Sequence, residues 1–146
     1  MSQSRTKKLK FKLLHKDARA ITQPKDGDAG YDLYASKTTT IPTNSVGKIP
    51  TGISLEIPKG YFAKIFDRSG FYTNEQGATG AGVIDNGYRG EVVVCMYNGT
   101  NLPITINKGE KFAQMVLLPL NSFPAEEVDL LTDSERGDAG FGSTGQ

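Results

Sequence analysis

The residues best able to do chemistry fall in a few short stretches. In Gly82-Val83-Ile84-Asp85-Asn86-Gly87-Tyr88-Arg89-Gly90-Glu91-Val92, a carboxylate and a phenol flank Asn86-Gly87. That dipeptide suits a type I′ turn, so the stretch reads as a hairpin with Asp85 and Tyr88 as its flanking pair. Directly paired residues of an antiparallel ladder project to one face, which puts an acid and an aromatic ring in one small site. Asp85 there is either a general base or a turn-stabilising acid, and the stretch alone leaves both open. Arg68-Ser69-Gly70 joins a planar guanidinium fork, a hydroxyl and a closely approachable backbone amide, a trio that suits phosphate and also occurs in plain turns.

Three further positions are ambiguous in the same way. Asp32, in Ala29-Gly30-Tyr31-Asp32-Leu33-Tyr34-Ala35, is an outward strand residue or a ligand to something polar. Gln114 is the one polar side chain in Phe112-Ala113-Gln114-Met115-Val116-Leu117-Leu118, either a satisfied core amide or a ligand contact. The Gly- and Ser-rich end from Arg136 reads as disordered when free. Its arginine, its one ring at Phe141 and the small donors Gly142, Ser143 and Thr144 are also what a segment needs to fold over a nucleotide.

Composition narrows the chemistry. Lys and Arg number 17 against 16 Asp and Glu, a net charge of +1, which argues against duplex DNA or an anionic membrane as the main partner and for a small ligand. His15 is the only histidine, so histidine-rich zinc sites are excluded and acid–base work falls to carboxylates. Cys95, the only cysteine, reads as a buried, inert thiol and cannot form an internal disulfide. No apolar run approaches the roughly 20 residues of a spanning helix, and the basic start lacks an apolar signal core, so a soluble, cytoplasmic protein is expected.

The elements that must position these residues read as strands. Alternation in residues 8–13 predicts that Leu9, Phe11 and Leu13 face a core. Tyr31, Leu33 and Ala35 share one side of the next strand. β-rich runs follow at 38–41, 49, 53–57 and 61–66, separated by Pro42, Pro50, Gly52, Pro58 and Gly60, with more at 102–106 and 112–118. This spacing predicts an all-β sandwich or barrel, with at most one short helix near 71–76. At 146 residues the chain is one domain. Residues 1–135 are expected to form the β-rich body and 136–146 a flexible C-terminal lid segment.

Taken in order, the stretches from Ala29, Arg68, Gly82, Gly109 and Arg136 resemble the five motifs of the trimeric dUTP diphosphatase family. The resemblance implies a jelly-roll-like subunit, a homotrimer whose active sites are shared between chains, and Mg²⁺-dependent cleavage of dUTP to dUMP and diphosphate. That reaction limits uracil incorporation into DNA and supplies dUMP for dTMP synthesis. By motif position, Asp85 activates the water that attacks the α-phosphate, and Tyr88 packs under the deoxyribose and excludes a 2′-hydroxyl. Backbone groups at Val83 and Ile84, with those near Thr79 and Val93, read the uracil edge. Arg68, Ser69, Gly70 and Gln114 match phosphate-binding positions, and Asp32 the acid that helps hold the hydrated metal. Arg136 matches the γ-phosphate arginine, Phe141 the aromatic that closes over uracil, and Gly142, Ser143 and Thr144 the adjoining cradle.

The chain departs from the family pattern at Asp67 and Phe71, where proline and leucine are frequent, and at Lys108 and Ala139, where arginine and glycine are. The added acid at Asp67 is expected to weaken phosphate affinity. A related dCTP deaminase would need a further acid near the pyrimidine, and none stands out beside the uracil-reading positions. A nucleotide-gated regulatory role through a protein partner is compatible with the same residues.

Overall fold

The computed structural model describes residues 7–68, 77–80 and 82–142. Among them, β-rich runs bounded by turn residues become ten strands: β1 (Lys10–Leu13), β2 (Tyr31–Tyr34), β3 (Thr39–Ile41), β4 (Ser45–Glu56), β5 (Tyr61–Asp67), β6 (Gly77–Gly80), β7 (Val83–Ile84), β8 (Glu91–Asn98), β9 (Ile104–Ile106) and β10 (Lys111–Pro119). All strand pairings are antiparallel. One sheet runs β1-β4-β8-β6, a second β2-β10-β5-β7, and β3 with β9 forms a two-stranded ribbon. The described residues contain no helix, in keeping with the all-β, jelly-roll-like expectation; residues 71–76 lie outside them.

Alternation builds the core. On β8, Val92, Val94, Met96 and Asn98 are buried while Val93 and Tyr97 face outward. The second sheet contributes Leu33, Ala63, Phe112 and Met115, all fully buried. Each large apolar side chain so enclosed stabilises the fold by about 1.5–3 kcal/mol. Cys95 falls on the outward row of β8 and is half-buried, not the enclosed thiol expected from its apolar neighbours.

Three other expectations are revised. First, Pro50 and Gly52 do not divide two strands; β4 runs through both. It does so by a bulge: Pro50 pairs with Val93 but Ser54 with Glu91, so extra residues on β4 face β8. Gly52 takes a φ of 70° there, and the Thr51 hydroxyl donates to the Val92 carbonyl at 2.5 Å. Second, Phe11 and Leu13 do not reach a core and remain 41% and 46% exposed. β1 is an edge strand attached to β4, and only Leu9 packs against the buried cluster. Third, the strands flanking Asn86-Gly87 do not pair with each other. β7 pairs with β5 and β8 with β4 and β6, so the chain crosses from one sheet to the other at this point.

Asn98 closes the far end of β8. Its side chain is fully buried; Nδ2 donates to the Ile41 and Leu102 carbonyls at 3.0 and 2.8 Å, and Oδ1 accepts from the Thr100 amide and hydroxyl at 2.9 and 2.7 Å. Asn98→Leu keeps the volume but strips partners from enclosed polar groups. It is expected to lower stability by about 2–4 kcal/mol, read from chemical denaturation midpoints.

Candidate functional site

The corner between the sheets is a four-residue turn in which the Tyr88 amide donates to the Asp85 carbonyl at 3.1 Å. Neither Asn86 nor Gly87 has positive φ, so this is not the expected type I′ turn. A primed turn matches the twist of two strands in one ladder, and here the chain leaves one ladder for another. Asn86 explains how the corner is held. Its Nδ2 lies 3.2, 3.0 and 2.8 Å from the carbonyls of Ile57, Pro58 and Tyr61, at the connection between β4 and β5.

The corner forms one wall of a cleft of about 250 Å³ lined by Ile65, Val83, Ile84, Asp85, Tyr88, Glu91, Val92 and Val93. Asp85 and Tyr88 therefore share a site, as read from the sequence, although they meet across a corner and not as a cross-strand pair. The Tyr88 hydroxyl donates to the Glu91 carbonyl at 2.8 Å. Its ring lies so close over Gly90 that a Cβ there would sit 2.6 Å from Cζ. β7 is the edge strand of its sheet, so one backbone edge of Val83 and Ile84 stays outside the ladder beside the cleft. Thr79 pairs with Met96 in the neighbouring β6–β8 ladder.

A second group of polar residues collects at one end of the β2-β10-β5 sheet. Asp32 and Gln114 are direct partners across β2 and β10, so they share a face. Asp32 Oδ2 is 3.1 Å from Lys111 Nζ. Gln114 Nε2 donates to the Asp67 carbonyl at 3.1 Å; Gly30 lies so near that a Cβ there would sit 2.8 Å from Oε1. Arg68 Nη1 donates to the Lys111 carbonyl at 3.1 Å, fixing one side of the guanidinium. Ser69 and Gly70 lie outside the described residues. In a neighbouring cleft that also reaches Glu91, the Lys108 ammonium hydrogen-bonds Asp17 Oδ1 at 2.6 Å and holds that carboxyl below its usual range.

The two groups are separate within one chain. Ile84, next to Asp85, is opposite Ala63 on β5, while Arg68 follows the other end of that strand. At ~3.3 Å per residue, roughly 17 Å of strand lies between them. Within the described part of the tail, Arg136 and Ala139 bond to each other. Arg136 Nε donates to the Ala139 carbonyl at 2.7 Å and the Ala139 amide returns to the Arg136 carbonyl at 3.3 Å, a local loop. Phe141, at φ 50°, is fully exposed, and Gly142 follows at φ 86°. Ser143 and Thr144 lie outside the described residues. Among the described residues, no three His, Cys, Asp or Glu side chains are placed to hold an ion together.

Sequence reasoning did not single out Glu91, Lys111 or Ile65. Glu91 is the added acid at the cleft that was not recognised beside the uracil-reading positions, but its Oε2 is engaged by the Gly52 amide at 2.9 Å. An acid opening an otherwise apolar strand is the signal that could have found it, since such a carboxylate needs a partner.

A family model described as dUTPase matches residues 16–145. The deoxyuridine 5'-triphosphate nucleotidohydrolase of Yarrowia lipolytica is 42% identical over 139 residues, covering 94% of this chain and 88% of that protein. The enzyme of the same name from Saccharomyces cerevisiae is 39% identical over 146 residues, covering 99% of each. Among solved structures, a mutant dUTPase of Staphylococcus bacteriophage 80alpha with dUpNHpp superposes with a TM-score of 0.87 at 29% identity, covering 95% of this chain and 99% of that one.

Close packing of the Tyr88 ring on Gly90 has a measurable consequence. Gly90→Ala moves the exposed ring aside and off the Glu91 carbonyl, so we expect displaced Tyr88 ring resonances in NMR spectra and a stability loss of no more than about 1 kcal/mol. Unchanged ring resonances would show that the cleft wall does not depend on this contact.

Proposed function

We propose, from the premise that this chain belongs to the dUTPase family of nucleotide hydrolases, that it cleaves dUTP to dUMP and diphosphate. The observation that carries the reading is the cleft in which the Asp85 carboxylate, the Tyr88 ring and the free backbone edge of β7 share one wall. Such an edge can pair with the hydrogen-bonding edge of a planar base, so Val83 and Ile84, with Thr79 and Val93 nearby, take the uracil. Tyr88 then packs under the deoxyribose. Asp85 accepts a proton from water as that water's oxygen bonds to the α-phosphorus; the bond from α-phosphorus to the bridging oxygen breaks, and diphosphate leaves with the electron pair. Positioning, charge neutralisation and one general base are sufficient for this reaction, so no nucleophilic side chain is required.

Arg68, Ser69, Gly70 and Gln114 receive phosphate in this reading, and the Arg68 and Gln114 side chains are already held by backbone carbonyls. Asp32 fits the expected Mg²⁺, because that ion keeps most of its waters and takes substrate phosphates alongside one or two carboxylates. When bound, it would neutralise triphosphate charge. Residues 1–135 act as the body and 136–146 as a lid, with Arg136 on the γ-phosphate, Phe141 over the uracil and Gly142, Ser143 and Thr144 around the phosphates. The enzyme limits uracil entry into DNA and supplies dUMP for dTMP synthesis in the cytoplasm. No helix among the described residues is long and apolar enough to cross a membrane.

A homotrimer with shared sites is supported by the separation of the two polar groups, since one triphosphate does not bridge roughly 17 Å of strand. It is further supported by apolar side chains left open on the single chain. Phe123, Leu130 and Leu131 on the segment after β10 are 85%, 87% and 82% exposed, and Phe11 and Leu13 flank β1.

Incubation with each deoxynucleoside triphosphate and with UTP, each with Mg²⁺, tests the reading. We expect diphosphate release from dUTP far faster than from dCTP, dTTP or UTP; ammonia from dCTP would indicate deamination instead. Asp85→Asn is expected to bind dUTP but lose about 10²- to 10⁴-fold in turnover, read by single-turnover kinetics. Near-parent turnover would leave Asp85 a turn residue only. Mixing Asp85→Asn chains with chains truncated before Arg136 is expected to restore part of the activity through mixed trimers. An active monomer in sedimentation would refute the shared site.

A further inference from the structure

We infer that Glu91 is a positioning residue for the Tyr88 wall of the cleft, and through it for discrimination at the sugar. The inference rests on the reading of Tyr88 as the surface under the deoxyribose. The Tyr88 hydroxyl is anchored on the Glu91 backbone carbonyl at 2.8 Å, so the ring goes where that carbonyl goes. Glu91 begins β8 opposite Ser54, just beyond the bulge in β4, and among the described residues no second strand pairs with it on its other side. Its own carboxylate supplies the missing constraint by accepting the Gly52 amide at 2.9 Å.

The bulge is a firm partner. Gly52 sits at φ 70°, and a Cβ there would lie 2.7 Å from Ala18 Cβ and 2.9 Å from His15 Nε2. The segment containing His15 and Ala18 therefore backs the bulge against Glu91. On its inner side, Thr51 ties the same bulge to the Val92 carbonyl. A charge-assisted hydrogen bond thus runs from a fixed bulge to the residue whose carbonyl holds the ring. Glutamine at this position keeps a carbonyl acceptor at the same reach; alanine removes it.

The test compares kcat/KM for dUTP and UTP in the assembled protein. Glu91→Ala is expected to lower the dUTP:UTP ratio by about ten-fold, while Glu91→Gln stays within about two-fold of the parent. Tyr88→Phe, which loses the same anchor from the other end, should lower the ratio similarly, and the double variant should add little. If Glu91→Ala fails to fold, Tyr88→Phe reads the anchor directly, and an unchanged ratio there overturns the inference. A fall in thermal stability with the ratio unchanged would likewise make Glu91 purely structural. Tyr88 ring resonances without nucleotide keep the two readings apart: displacement in Glu91→Ala but not in Glu91→Gln supports the positioning role even if the parent fails to cleave dUTP. Undisplaced resonances in Glu91→Ala refute it whatever the activity.

Discussion

The Asn86 amide, turned onto the carbonyls of Ile57, Pro58 and Tyr61, is the contact on which the site geometry depends. It fastens the turn from β7 to β8 onto the connection between β4 and β5, so the two sheets are joined beside the cleft. Those carbonyls belong to a connecting segment or strand end and share the two N–H donors of one amide there. The carboxylate of Asp85 is carried by the adjacent residue. Its position is therefore tied to a polar anchor and not to a flexible hairpin tip.

The bulge in β4 plays the complementary part from the other side. A regular β4–β8 ladder would bring backbone donors of β4 to the start of β8. The bulge instead presents the Thr51 hydroxyl and the Gly52 amide, which take the Val92 carbonyl and the Glu91 carboxylate. Positive φ at Gly52 makes that arrangement available without Cβ strain. Gly90 contributes differently: what is needed there is the absence of a side chain beneath the Tyr88 ring. Two glycines thus shape one wall for different physical reasons.

The open side chains belong to the same account. A sheet edge with exposed Phe11 and Leu13, and a long exposed segment with Phe123, Leu130 and Leu131, cost solvation while they face water. The polar cluster around Asp32, Arg68 and Gln114 lies well along the sheet from Asp85. A shared assembly would cover the first and bring together the second. Both the apolar surface and the spacing of the polar groups are features of the single chain.

The side-sharing of Tyr31, Leu33 and Ala35 along β2 was legible in the residues, because strand faces follow a period of two, whereas the unbroken apolar run 92–96 hid which row of β8 faces outward. Also legible were the ordered stretches around Asp32, Arg68, Asp85, Gln114 and Arg136, whose types and order carried the family resemblance. Tertiary structure decided which strands pair. Asn86-Gly87 looks like a hairpin turn locally, yet the side-chain amide finds carbonyls from residues 57–61, and a contact so distant in sequence leaves no local pattern. The same reason hid the continuity of β4 through Pro50, the exposure of Phe11, and the partnership of Glu91 with Gly52. Residue spacing determined which groups could do the chemistry; long-range hydrogen bonds and packing decided which of them share a wall.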